Sequence, residues 1–135
     1  MPVFYDPESW SLYVADAPRS HAGLFGGVLN VFVCGAMQEP ARMAACLGRD
    51  CPSAPAVARG FLRRFEGQGA LRRSFMLPDP SDAARVLTGT VYLDLSPDEL
   101  ARLEAVERQG GLRRRIDLDV QVGEVRLAAI SFVKA

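Results

Sequence analysis

A chain of 135 residues, 49% of them apolar, is long enough to bury one core without covalent staples, and its 16 basic and 16 acidic residues cancel. That balance excludes disorder and gives no support to general nucleic-acid binding. Three cysteines and one histidine, His21, make neither a disulfide framework nor a zinc site, so the reading is a cytoplasmic protein with reduced thiols. Asp6, Glu8 and Asp16 interrupt the N-terminus, so no signal peptide is expected, and no apolar run reaches the length of a membrane span.

Residues 1–27 form an N-terminal arm ahead of a domain at 28–135. Tyr5, Trp10, Leu12, Tyr13 and Val14 read as a short edge strand or as an arm packed on a partner subunit, the latter giving a homodimer. The run Val28-Leu29-Asn30-Val31-Phe32-Val33-Cys34 has the length and apolarity of a central strand buried on both faces. Gly35-Ala36-Met37 follows, then Pro40 at a helix start whose inner face uses Met43, Ala44 and Leu47, with Gly48 as its stop. A strand, a glycine and a helix start leave free amides at the strand end, which is either a receptor for a carboxylate, phosphate or oxyanion or simply a tight turn.

Residues 56–65 read as a second strand, with Gly60 in its interior as a bulge or a close approach and Val57, Phe61 and Phe65 on one face. Residues 71–76 give a third, ended by the loop signal Leu77-Pro78-Asp79-Pro80. Residues 86–95 give a fourth, with Leu87, Gly89, Val91, Leu93 and Leu95 alternating against Thr88, Thr90, Tyr92 and Asp94. Arg59, Arg63, Arg64, Arg72 and Arg73 make the middle basic, either as a solvated strand surface or as a phosphate-binding face.

Ser96-Pro97-Asp98-Glu99 then announces a helix through an N-cap, a first-position proline and a capping box, and Gly110-Gly111 ends it. Leu100, Leu103 and Val106 mark its apolar stripe. At ~100° per residue, Glu107 lies about 40° from the centre of that stripe and Glu104 about 100° away. Glu104 is therefore a solvated carboxylate. Glu107 faces inward, or bends to water if the last turn frays. If inward, desolvation and the helix dipole raise its pKa, as suits a general acid/base. The last two strands, 112–122 and 125–133, are joined at Gly123-Glu124. Arg114 shares the inner face with Ile116, Leu118, Val120 and Val122. A buried arginine needs a partner. With Glu107 it makes either an ion pair that orients the helix or a polar pocket floored by Glu107 and rimmed by Arg114. Paired carboxylates for glycoside cleavage, a Ser/His/Asp arrangement and a metal cluster find little support.

The order of these pieces resembles the γ-glutamylcyclotransferase family, the AIG2-like proteins. Val31-Phe32-Val33-Cys34-Gly35-Ala36-Met37 sits where the family has an apolar strand followed by Tyr-Gly-Thr/Ser-Leu. Phe75-Met76-Leu77-Pro78-Asp79-Pro80 and Leu87-Thr88-Gly89-Thr90-Val91-Tyr92 resemble its proline loop and following strand. Leu103-Glu104-Ala105-Val106-Glu107 is similar to its Leu-Asp-x-x-Glu, and Leu112-Arg113-Arg114 stands in the place of its Tyr-x-Arg.

The resemblance implies an α+β fold, a small mixed β-barrel flanked by short helices. It implies a γ-glutamyl substrate cyclised to 5-oxoproline with release of an amine, needing no cofactor and no nucleic-acid or membrane partner. Glu107 would be the acid/base, with Cys34, Gly35, Ala36, Met37 and Arg114 at the substrate. Cys34, Ala36 and Leu112 replace family residues that carry hydroxyls. The same resemblance therefore also allows a non-catalytic relative that binds a small acidic metabolite or a protein partner.

Overall fold

The computed structural model describes residues 29–109 and 113–134. The arm at 1–27 and the dimer expected from it, together with Val28, Gly110, Gly111, Leu112 and Ala135, lie outside the described residues. Among the described residues seven strands are present: β1 (Leu29–Val33), β2 (Ser53–Arg59), β3 (Phe61–Glu66), β4 (Arg73–Pro78), β5 (Val86–Leu95), β6 (Arg113–Val122) and β7 (Val125–Lys134). The α-helices among the described residues are α1 (Pro40–Leu47) and α2 (Pro97–Gln109). Five strands close a barrel in the order β1-β5-β2-β6-β7, sealed by a parallel pairing of β1 with β7, while β3 and β4 form a separate two-stranded sheet.

Two apolar layers hold this together. Phe32, Val91, Ala56, Ala58, Leu118, Val120 and Val133 fill one, inside the barrel. Val31, Val33, Tyr92, Ile130 and Phe132 face the other, where Met43 and Leu47 of α1 and Leu100 and Leu103 of α2 cover the outer wall. Strand β1 alternates between the two layers, which is why its sequence is apolar at nearly every position. The layers are dense enough that glycine is required at residue 89. A Cβ there would stand 2.7 Å from Phe32 Cζ, so Gly89, paired with Ala56, leaves the space that the Phe32 ring occupies.

Three strand readings change. Residues 56–65 are not one strand. Gly60 has φ +81°, and the chain breaks there, leaving the barrel at Arg59 and entering the β3–β4 sheet at Phe61. The Gly60 amide donates to the Arg85 carbonyl at 2.8 Å and its carbonyl accepts from the Asp79 amide at 2.8 Å. The buried side chains of β2 are consequently Ala56 and Ala58, with Val57 half-buried and Phe65 exposed. In the third strand, residues 69–71 are a turn of 3-10 helix and Leu71 is exposed, so β4 begins only at Arg73. In β5, Asp94 adopts φ 63° and the register against β1 shifts. Leu93 therefore packs with the interior and Leu95 with the outer layer, although both have the same parity.

Candidate functional site

Helix α2 begins where its capping residues require. The Glu99 amide donates to Ser96 Oγ at 3.2 Å and the Ser96 amide donates to Glu99 Oε1 at 2.9 Å, a closed capping box. Arg49 then grips the same carboxylate with both edges of its fork, Nε to Oε2 at 2.6 Å and Nη2 to Oε1 at 3.0 Å. These bonds hold the Glu99 carboxyl down at about 2. From this anchored end the buried line runs Leu100, Leu103, Glu107. Val106, expected on the apolar stripe, is 40% exposed, and Glu104 binds Arg108 at 2.7 Å on the helix surface.

Glu107 thus occupies the place where the helix would otherwise bury an apolar residue. Its side chain is only 17% exposed. Burial pushes its carboxyl above the ordinary glutamate range, and the positive charge of Arg113 partly opposes that rise. Arg113 Nη1 stands 3.5 Å from Glu107 Oε1, beyond a tight ion pair, while Nη2 donates to the Ser74 carbonyl at 3.1 Å. The guanidinium lies over the Phe75 ring, and its Nε has no acceptor among the described residues.

The inward arginine of β6 is therefore Arg113, and Arg114, placed inward from the sequence, is exposed. Alternation along β6 does put Arg114 on the interior side, opposite Val133. The assumption that failed is that the other face meets water. At this end of β6 that face is covered by the end of α2 and by β4, so Arg113 is the residue held against protein and Arg114 reaches solvent. The pairing proposed for residue 114 belongs to its neighbour.

Beside Glu107 a cavity of about 730 Å³ opens. Of the residues named from the sequence, Cys34, Gly35, Ala36, Met37 and Glu107 all line it, and Arg114 does not. Residues Ala36–Gln38 form one turn of 3-10 helix, whose first amides have no acceptor within so short a turn. Tyr92 fixes this turn from below. Its hydroxyl donates to the Met37 carbonyl at 2.8 Å and lies 3.2 Å from the Gln38 carbonyl. A Cβ at residue 35 would stand 3.1 Å from Ser74 Oγ, so glycine lets the hairpin close on the turn. Burial raises the Cys34 thiol, with Arg63 opposing the rise and Glu107 adding to it. Cys34 is consequently a poor thiolate nucleophile.

The sequence did not identify Tyr92, nor Arg113, Ser74 and Phe65, which line the cavity; Arg63 and Arg72, also in its wall, it offered only as part of a basic middle. Tyr92 carried a signal, a large aromatic on the supposed polar face of β5. Among the described residues no group of three or more His, Cys, Asp or Glu is placed to hold a metal, and no helix is long and apolar enough to cross a membrane.

A closed mixed barrel with two covering helices, and a single desolvated carboxylate at the edge of a cavity, defines the class of small barrel proteins to which solved structures can be compared. The family model for gamma-glutamyl cyclotransferase, AIG2-like, matches residues 31–135. The chain belongs to that family. Two Arabidopsis thaliana proteins with solution structures are similar to it. One superposes with TM-score 0.66 at 24% identity, over 89% of this chain and 72% of its own. The other gives 0.61 at 28%, over 79% and 62%. A gamma-glutamyl cyclotransferase gives 0.64 at 15%, over 80% and 67%, a likeness of fold. No sequence among the curated proteins matches this chain.

Proposed function

We propose that the protein is a cyclotransferase acting on γ-glutamyl amines or peptides. The observation that carries this reading is the Glu107 carboxylate, desolvated and only loosely paired, across one cavity from the Gly35-Ala36-Met37 turn. A γ-glutamyl chain curled between them presents its α-amine to its own γ-amide carbonyl. The amine nitrogen bonds to the carbonyl carbon, closing a five-membered ring. The bond from that carbon to the departing nitrogen then breaks. Glu107 accepts a proton from the α-ammonium before attack and returns it to the departing nitrogen, while the proton the ring nitrogen sheds on bonding to carbon ends on the released amine as its ammonium, so carboxylate and protons both balance. The products are 5-oxoproline and a free amine, with no net oxidation and no water consumed.

Amides of the 3-10 turn stabilise the developing oxyanion, and confinement of the chain supplies proximity. A raised carboxyl pKa brings Glu107 closer to both halves of its task, since it must hold a proton briefly and then release it. The three cysteines are free, which supports a reducing, cytoplasmic setting as part of the same proposal.

Incubation with a panel of γ-glutamyl amines and peptides, followed by assay of 5-oxoproline, tests this. The wild type should release it and Glu107→Gln should lose at least about 10²-fold in rate. Release at an undiminished rate by the variant would remove Glu107 from the chemistry. A second reading, a non-catalytic binder of a small acidic metabolite, is favoured by Cys34 and Ala36 lining the cavity without hydroxyls. Calorimetric binding without product would select it.

A further inference from the structure

The charge lining the cavity is lopsided. Arg42, Arg63, Arg72, Arg73 and Arg113 contribute to its wall, against Glu107 as the one carboxylate among the described lining residues. Two of these arginines have acidic partners, Arg42 with Glu39 at 3.1 Å and Arg113 with Glu107 at 3.5 Å. Arg63, Arg72 and Arg73 bridge to no carboxylate among the described residues, in a chain whose formal net charge is zero.

Arg63 and Arg72 are also ordered. Their guanidinium carbons lie 4.6 and 4.3 Å from the centroid of the Phe65 ring, which remains 47% exposed. Stacking on an aromatic face restrains the planar fork and leaves its N–H groups directed outward, so less entropy is lost when an anion is bound. Two cations on one ring stand no more than about 9 Å apart, within about a Debye length, so their repulsion is relieved by a nearby anion.

The layout of the cavity says which part of a substrate meets them. The glutamyl half must lie between Glu107 and the turn at Gly35, where the ring closes. In the proposed pose the departing amine runs along the wall made by β3 and β4, which meets the turn at Ser74 and carries Arg63 and Arg72. A cavity of this volume holds a drug-sized ligand, much more than a five-carbon glutamyl group.

We propose that Arg63 and Arg72, stacked on Phe65, form a subsite for the departing amine, and that this amine carries at least two negative charges. The proposal rests on the cyclotransferase reading of the same cavity. The ligand chemistry is a doubly anionic amine, a dicarboxylate or a phosphate ester, joined through nitrogen to a γ-glutamyl group. One carboxylate leaves most of the cationic wall uncompensated. Two anionic groups match the pair of forks.

The test compares three compounds on the full chain: γ-glutamyl-glutamate, its neutral-side-chain counterpart γ-glutamyl-glutamine, and the γ-glutamyl amide of phosphoethanolamine. At low salt, kcat/KM for 5-oxoproline release should favour at least one doubly anionic compound over γ-glutamyl-glutamine by about tenfold. Whether glutamate or phosphate is preferred identifies the source of the charge. The ratio should shrink as salt rises and fall toward one in Arg63→Gln with Arg72→Gln. Turnover of all three at equal kcat/KM overturns the subsite and leaves the cyclotransferase reading standing. Absence of turnover overturns that reading instead. In that case calorimetry on the wild type decides: tighter binding of a doubly anionic compound than of γ-glutamyl-glutamine upholds the subsite, and equal or no binding overturns it.

Discussion

Helix α2 carries a carboxylate near each end of its buried side, and the protein treats the two in opposite ways. Glu99 receives a fork of two bonds from Arg49 and one from the Ser96 amide, and its carboxyl is held at about 2. Glu107 has an arginine at 3.5 Å, and burial pushes its carboxyl upward. Each is an acidic residue beside an arginine. One is saturated with donors and fixed in charge. The other is short of them and is left able to exchange a proton. Partner identity does not separate a structural carboxylate from a reactive one; the number and closeness of its donors do.

Neutralising each carboxylate should break this contrast from different sides. The largest effect expected is loss of 5-oxoproline release in Glu107→Gln, with the fold kept, since glutamine adds no charge where charge is disfavoured. Glu99→Gln should leave release largely intact and cost about 2 kcal/mol of stability, measured by denaturant unfolding, because it weakens a cap and a charge-assisted pair. Retained stability in that variant would deny Glu99 its anchoring part.

The pH dependences sharpen the contrast. With its pKa lowered, Glu99 contributes stability that is present above the ordinary value of 4.5 and lost as pH falls toward about 2. Glu107 has the reverse sign. Its contribution is fully present below 4.5 and is lost as pH rises through its raised value, so stability of Glu107→Gln relative to wild type should increase with pH across that window. Unfolding curves at several pH values would show it, and parallel curves would refute it. In the activity profile, Arg113→Gln removes the charge that opposes the rise and should move the acid limb of kcat/KM to higher pH. A limb that stays in place would mean that Arg113 does not act on the proton equilibrium. The smallest effect belongs to Tyr92→Phe, expected to cost about 1 kcal/mol and to raise KM through a loosened turn. An unchanged KM would separate Tyr92 from the site.

What could be read beforehand follows from how local each signal was. The capping box at Ser96 and Glu99, the bounds of β5, the Gly48 stop and the Gly123-Glu124 turn depend on neighbours a few residues away, and all stand where expected. Glu107 was legible because helical spacing put it beside Leu100 and Leu103. Arg113 was not. Choosing between it and Arg114 requires knowing that α2 and β4 cover the face of β6 that alternation assigns to solvent. The exit of the chain at Gly60 escaped for a similar reason. A glycine within an apolar run marks a bulge or a departure, and only partners distant in sequence, Asp79 and Arg85, decide between them.

That exit at Gly60 has a consequence for how the molecule can diversify. The strands that seal the barrel and the strands that bear Arg63, Phe65 and Arg72 belong to separate sheets, joined at Gly60 and held together by Met76 in the barrel core, by Arg113 on Ser74 and by Lys134 on Glu66. The base of the hairpin is part of the core, and its exposed tip is the part free to vary. Changes confined to the exposed residues Arg63, Phe65 and Arg72 would vary the proposed grip on the outgoing half of a substrate, while Ser74, Phe75 and Met76 keep Arg113, Glu107 and the turn in place.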